Sequence, residues 1–229
     1  MALTDGLIAY YGMDEASGTR ADAHASWDLA ETGTMPSAAG LRGDAVDCGA
    51  GRLEGDATAF QTGADGLGIS VWLRPDTYPS TWAPVDKDGI RGGGLREWGL
   101  LGFGTSIYLY VFGSWGNTAA SVSMGAAGSW KHILAEYDAG TATVRISVNG
   151  GTPATATHAA GTPNRSTTPL YVGQRRDTEP YDGRLDLLGV WDRPFTADER
   201  TQLYNGGAGL SYAELAGGTA PSLSVPLSV

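Results

Sequence analysis

Cysteine is almost missing: Cys48 stands alone, so no disulfide can form within the chain. Charged residues are also scarce, at 17% against the ~25% usual for soluble domains. No run of lysine and arginine occurs, and the net charge is −10. Nucleic acid is therefore excluded as an expected partner, and so is an anionic membrane surface. No apolar run approaches the ~18 residues that a membrane-crossing helix needs, so no membrane insertion is expected. The opening MALTDGLIAYYG has no charged n-region ahead of an apolar h-region, so it does not read as a secretory signal. The histidines, His24, His132 and His158, share no metal-ligand spacing, and no internal repeat of fixed period appears.

What is present is glycine, 35 residues of it, with 11 prolines, in a chain of 229 residues that is 41% hydrophobic. That composition fits a globular domain of many short strands joined by tight turns. Strand-like runs recur between Gly, Pro, Asn and Asp clusters: GLIAYYGM (6–13), GISVWLRP (68–75), REWGLLGFG (96–104), SIYLYVFG (106–113), SVSMG (121–125), SWKHILAEYD (129–138), ATVRISVNG (142–150), PLYVGQ (169–174) and GRLDLLGVWD (183–192). Their spacing predicts an all-β sandwich or jelly roll. The glycine-rich GIRGGGLREWG (89–99) lacks the G-x-x-x-x-G-K-[ST] pattern of a phosphate loop and reads as a hairpin connection. One short helix is predicted near 196–205. Thr196 serves as its N-cap, Glu199 completes a capping box, Gly206 ends it, and Leu203 and Tyr204 anchor it. Residues 1–216 are expected to form the domain, and 217–229 an apolar tail with two prolines.

Alternation sorts the strand faces. Ile133, Ala135 and Tyr137 oppose His132, Leu134 and Glu136; Val144, Ile146 and Val148 oppose Arg145, Ser147 and Asn149. Ile107, Leu109 and Val111 oppose Tyr108, Tyr110 and Phe112, and Ile69, Val71 and Leu73 oppose Ser70, Trp72 and Arg74. Each strand thus has an aliphatic face and a polar or aromatic one. Asp186 breaks the pattern, because it stands where a core-facing residue is due. An unpaired buried charge is costly, so Asp186 must be exposed, paired or on a metal.

Five motifs carry a resemblance: GLIAYYGMDEASG, ISVWLRPD, SWKHILAEYDAGTATVRISVNG, LYVGQ and YDGRLDLLGVWDRPFTADERTQLYNGG. Together they resemble the laminin G-like branch of the concanavalin A-like lectin/glucanase superfamily, in the family's order, over most of residues 6–207. The resemblance implies a concanavalin A-like jelly-roll sandwich of two antiparallel sheets, one of them concave. It also implies a structural Ca2+ on the convex side, held by Asp186 and by carbonyls near Asp14 and around VDCGAG (46–51). Carbonyls, one carboxylate and water can supply the six to eight oxygens that Ca2+ takes. The alternative is that Asp186 pairs with Arg184 or Arg193, or caps a turn. Leu187 stands where the family commonly has Glu, as an outward apolar residue on a convex strand.

Some superfamily members are glycoside hydrolases with E-x-D-x-x-E on a concave strand. EGDATA (54–59) and EYDAGT (136–141) match only in part, since both lack the final Glu, and no enzyme is expected. A glycan site is expected instead, with Trp72, Tyr108, Tyr110, His132, Glu136 and Arg145, beside Ser147, lining the concave sheet. Aromatic faces next to hydrogen-bonding groups suit a sugar, because pyranose C–H faces stack while hydroxyls bond. Trp98, Trp115 and Tyr181 sit near loops that could rim such a site, whereas Trp130 and Trp191 read as packing.

The last segment, PSLSVPLSV, alternates Leu, Val and Ser without charge and can add to a neighbour as an edge strand. Leu187, Leu223, Val225 and Leu227 are accordingly the expected partner interface. With no signal, no disulfide and a nearly bare domain, the chain is expected to be a non-catalytic bacteriophage virion protein. It would decorate a capsid or act in tail adhesion, assembling with itself or with other virion proteins and binding a cell-surface glycan weakly. A secreted, extracellular carbohydrate-binding module is the alternative.

Overall fold

A computed structural model describes residues 1–87, 96–175 and 178–217. Most of the glycine-rich connection read at 89–99 lies outside the described residues, as do Leu223, Val225, Leu227 and nearly all of the tail.

The expected all-β sandwich is observed, as two large antiparallel sheets. Sheet A runs, in spatial order, β13 (Ala154–Thr157), β12 (Thr143–Val148), β11 (Lys131–Asp138), β6 (Gly66–Pro75), β17 (Gly183–Trp191), β4 (Asp44–Asp47) and β3 (Ser37–Ala39). β1 (Leu7–Tyr11) also pairs with β17. Sheet B runs β10 (Gly116–Ser123), β9 (Ser106–Gly113), β8 (Trp98–Phe103), β7 (Thr81–Asp86), β14 (Leu170–Val172), β5 (Ala50–Gly55) and β2 (Ala30–Thr34). A small ladder joins β15 (Gln174–Arg175) to β16 (Thr178–Pro180).

Alternation decides what fills the space between the sheets. Ile69, Val71 and Leu73 of β6, Ile133, Ala135 and Tyr137 of β11, and Val144 and Ile146 of β12 meet Ile107, Leu109 and Val111 of β9 in one buried cluster. Each branched side chain buried this way contributes about 1.5–3 kcal/mol. Trp98 and Tyr181, expected at the rim of a ligand site, belong to this core. Trp98 donates from Nε1 to the Phe60 carbonyl.

β17 carries the departure from alternation. Leu185, Leu188 and Val190 enter the core. Between Asp186 and Gly189 the register shifts, and Leu187 takes a left-handed φ of +50°. The bulge puts Asp186 and Leu187 on the same, outer side. Asp186 pairs in register with Trp72, whose side chain belongs to the outer cluster. It is therefore not core-facing, as the sequence pattern had suggested.

The helix forms as predicted. In α1 (Ala197–Tyr204) the Thr196 hydroxyl accepts from the Glu199 amide and the Glu199 carboxylate accepts from the Thr196 amide. Asn205, at φ +48°, ends it one residue before the expected Gly206. A second helix follows, α2 (Tyr212–Gly217), whose Ser211 and Glu214 form the same reciprocal pair. Residues 194–217 lie across the outer face of sheet A. There Phe195, Leu203, Leu210 and Leu215 pack on Trp72, Leu134, Leu187 and Trp191.

Candidate functional site

The residues expected to line one ligand face fall on two opposite faces of the sandwich. Trp72, His132, Glu136 and Arg145 lie on the outer side of sheet A, under or beside α1, and the first three are buried. Trp72 lies against His132 with ring centroids 4.9 Å apart, and Tyr204 of α1 stacks over both. The His132 Nε2 meets the Ser70 hydroxyl at 2.9 Å. Burial pushes the His132 imidazole down to a pKa of about 3, so the ring is neutral. Glu136 is bridged by Arg200 and accepts from the Phe195 amide. Arg145 is half-buried between Glu136, at 3.7 Å, and Asp138, at 3.4 Å. Trp72 and Glu136 thus serve the chain's own packing, and His132 is buried beneath α1 with only an edge reaching the cleft beside it, so the three form no open concave ligand face.

Tyr108 and Tyr110 are different. They stand half-buried on the outer side of sheet B, the one face where the predicted aromatic display survives. β9 places Tyr108, Tyr110 and Phe112 in near-parallel succession, with centroids 5.7 and 6.1 Å apart. Phe103, 38% exposed, meets Tyr108 edge-on. The Arg96 guanidinium lies 3.9 Å from the Phe112 ring centroid. Beside this row is a cleft of about 180 Å³ lined by Arg96, Leu101, Phe103, Tyr110, Arg175 and Glu179. Phe103 and Arg96 were not foreseen. Phe112 was visible by alternation alone, but Phe103 closes a strand before a Gly-Thr turn and only the fold brings it alongside Tyr108.

Asp186 is fully buried, and its Oδ2 accepts from the amides of Leu41 and Arg42 at 2.8 and 3.2 Å. Its partners are thus backbone amides of a turn; Arg184 donates elsewhere, to the Ala39 carbonyl, and Arg193 to the Asp5 carbonyl. Burial raises the Asp186 carboxyl to about 7, against the pull of the Arg42, Leu41 and Leu187 amides, and the Asp14 charge adds to the rise. The other oxygen, Oδ1, is buried with no partner among the described residues. An orphaned carboxylate oxygen with a second carboxylate in electrostatic range fits a hard cation, and Ca2+ would add carbonyl and water oxygens there. The turn against Asp186 is 40–44, whereas Val46 and Asp47, from the expected carbonyl region, pair with Leu185 and Arg184 in the ladder. No group of three or more His, Cys, Asp or Glu side chains converges among the described residues.

Leu187 is 5% exposed. The expectation that it is an outward residue awaiting a partner is corrected: Leu203, Leu210 and Leu215 of the same chain join it in the outer cluster.

The family model of the concanavalin A-like lectin/glucanases superfamily, laminin G type, matches residues 51–199, and the chain belongs to this superfamily. No curated protein matches the chain in sequence. Among solved structures, the binding domain of botulinum neurotoxin DC in complex with SialylT superposes with a TM-score of 0.68 at 11% identity, over 89% of this chain and 52% of that one. The binding domain of Paraclostridial Mosquitocidal Protein 1 gives 0.69 at 14%, over 90% and 53%. Domain 4 of AbnA, an extracellular arabinanase from Geobacillus stearothermophilus, in complex with arabinotriose, gives 0.67 at 16%, over 89% and 98%. The chain spans about half the length of the two toxin binding domains and nearly all of the arabinanase domain. At these identities the likeness shows the fold.

Proposed function

We propose that this chain is a non-catalytic carbohydrate-binding module whose glycan lies on the outer face of sheet B. The carrying observation is the row Phe103, Tyr108 and Tyr110, left partly open beside the cleft and continued by the buried Phe112 under Arg96. Aromatic rings take the apolar C–H face of a sugar, and the guanidinium and phenol groups bond its hydroxyls. The arabinotriose and SialylT complexes of structural relatives support the class of ligand. The carboxylates that resembled a hydrolase signature have other duties. The amides of Thr58 and then Ala59 hold the Asp56 carboxyl low. Burial pushes Asp138 up, but hydrogen bonds from Thr141 and the Arg145 charge outweigh it and hold its carboxyl low as well. Glu54 is paired with Arg52, and Glu136 with Arg200. A glycosidase acid needs the opposite shift.

The test is binding to a polysaccharide panel by calorimetry. Tyr110→Ala is expected to weaken binding roughly five- to tenfold, the equivalent of about 1–1.4 kcal/mol. Unchanged affinity for every bound glycan would remove the site from sheet B.

The virion-decoration reading rested on the want of a signal and a disulfide and on a nearly bare domain, and its docking surface rested on Leu187 and the tail. Leu187 is covered by its own chain, and the tail lies outside the described residues. No described residue therefore supports the virion role over that of a free-standing or secreted module. A structural Ca2+ at Asp186, with Asp14 nearby, belongs to the same proposal, and the unpartnered Oδ1 supports it.

A further inference from the structure

A second cavity, of about 330 Å³, opens on the opposite side of the molecule, between α1 and the β12–β13 hairpin. His132 and Ser147 line it from sheet A, and Arg200, Thr201 and Tyr204 line it from α1. Gly150, at φ +66°, packs so close that a Cβ there would lie 2.7 Å from the Tyr204 ring, which fixes the hairpin against the helix at the mouth.

Ser147 is 4% exposed and lines this cavity. Its hydroxyl has no hydrogen-bond partner among the described residues and is reached by solvent from the cavity, so a ligand hydroxyl can replace water there. The neutral His132 ring commits Nε2 to Ser70, which leaves its other nitrogen for a ligand. Asn149 holds the strand end in place, accepting from the His132 amide through Oδ1 and donating its own amide to the His132 carbonyl. The charges at the wall cancel, since Arg200 is bridged to the buried Glu136. The lining therefore offers hydroxyls, an imidazole and one ring edge, with no net charge to attract an ion. The volume lies at the small end of ligand cavities.

We propose that the cavity between α1 and the β12–β13 hairpin binds a small neutral polyhydroxylated molecule, of monosaccharide size, through Ser147 and His132. This site is separate from the sheet B face and does not depend on it.

The experiment is an amide chemical-shift titration of the full chain with D-glucose, D-galactose, L-arabinose and N-acetylglucosamine, with glucuronate as a charged comparator. Saturable shifts are expected at Ser147, Gly150 and Thr201 with at least one neutral sugar. Ser147→Ala is expected to weaken them roughly two- to tenfold, the worth of one hydrogen bond. Ser147→Leu fills the cavity and is expected to abolish them, while Tyr110→Ala leaves them intact. If the leucine variant fails to fold, Ser147→Ala and Thr201→Val carry the test. Several results would overturn the site: no shift at these amides with any neutral sugar, shifts confined to sheet B, or shifts that survive a folded Ser147→Leu. An unchanged affinity in Ser147→Ala would do so too, and a preference for glucuronate would overturn the neutral assignment.

Discussion

On the outer face of sheet A, Trp72, His132 and Tyr204 lie stacked beneath a strap of residues 194–217. On the outer face of sheet B, no described segment lies over Phe103, Tyr108 and Tyr110, and Phe103 is 38% exposed. The strands beneath are built alike, each turning an aliphatic face inward. The difference lies in what the chain does after β17. A helix and its return segment bring Leu203, Leu210 and Leu215 over one sheet only, and so turn its aromatic residues from a display into a second core. Polar residues there must be paired or neutral, as Glu136 and His132 are, because water has been removed from around them. Aromatic residues on a strand therefore stay open to solvent only where no later segment covers them.

The sharpest way to break this contrast is to loosen the strap. Leu203→Ala is expected to cost about 2–5 kcal/mol, because the cavity it leaves adds to the lost burial. Chemical denaturation measures the loss, and binding of a hydrophobic dye should rise as sheet A is uncovered. A cost under ~1 kcal/mol would mean that the strap is dispensable.

A second difference is pH dependence. His132 has a folded pKa near 3, below its ordinary 6.5. The unfolded chain therefore binds the extra proton between those values. The contribution is complete above about 6.5 and is lost as pH falls toward 3. At pH 4.5 this amounts to about 2–3 kcal/mol. His132→Gln should flatten that part of the stability profile, whereas substitutions on sheet B should leave it in place. Asp186 works in the opposite sense when no cation is bound. Its folded pKa of about 7 lies above the ordinary 3.8, so its contribution is full below 3.8 and is lost as pH rises through 7. Wild-type stability reports the difference of the two, which is why the single variants are needed.

Calcium separates the covered face further. If Asp186 holds Ca2+, the ion at a hundredfold excess over its Kd stabilises the fold by about 2.7 kcal/mol. Chelator should lower the melting temperature and added Ca2+ should restore it. Asp186→Asn keeps an oxygen for the Leu41 and Arg42 amides, so it should melt at or above the chelated wild type at pH 8 and show no Ca2+ response. Identical melting of the wild type with chelator and with Ca2+ would leave Asp186 as a protonatable, amide-bound carboxyl. The smallest effect on stability belongs to the open face. Tyr110→Ala should stay within ~0.5 kcal/mol of wild type by denaturation while it weakens glycan binding.

Much of the fold was legible because period-2 alternation and capping chemistry are local. The faces of β6, β9, β11 and β12 and the Thr196–Glu199 box needed no tertiary information. Ser211-Tyr-Ala-Glu214 spells the same box and was equally visible, although only one helix was expected. The candidate site was harder to read. In sequence, Tyr108 and His132 are both polar-edged rings on the outward side of a strand, and what separates them is a strap that begins 56 residues after the end of β11. The partners of Asp186 are amides 144 and 145 residues away. The β17 bulge, with a leucine at φ +50°, has no marker in a residue type that ordinarily avoids that conformation. Alternation across it was therefore misread for Asp186, and for Leu187 it gave the right side but the wrong exposure.

β17 also sets the order in which the molecule can be made. This strand comes from residues 183–191, yet it sits between β6 on one side and β4 and β1 on the other. On a ribosome the first six strands emerge long before the strand that joins them. Until it arrives, β6 has an open edge and β1 has no sheet to join. Pairings this distant in sequence slow folding, and unpaired edges invite association with other chains. The expectation is a slow-folding nascent chain that depends on protection until residue 191 has cleared the exit tunnel.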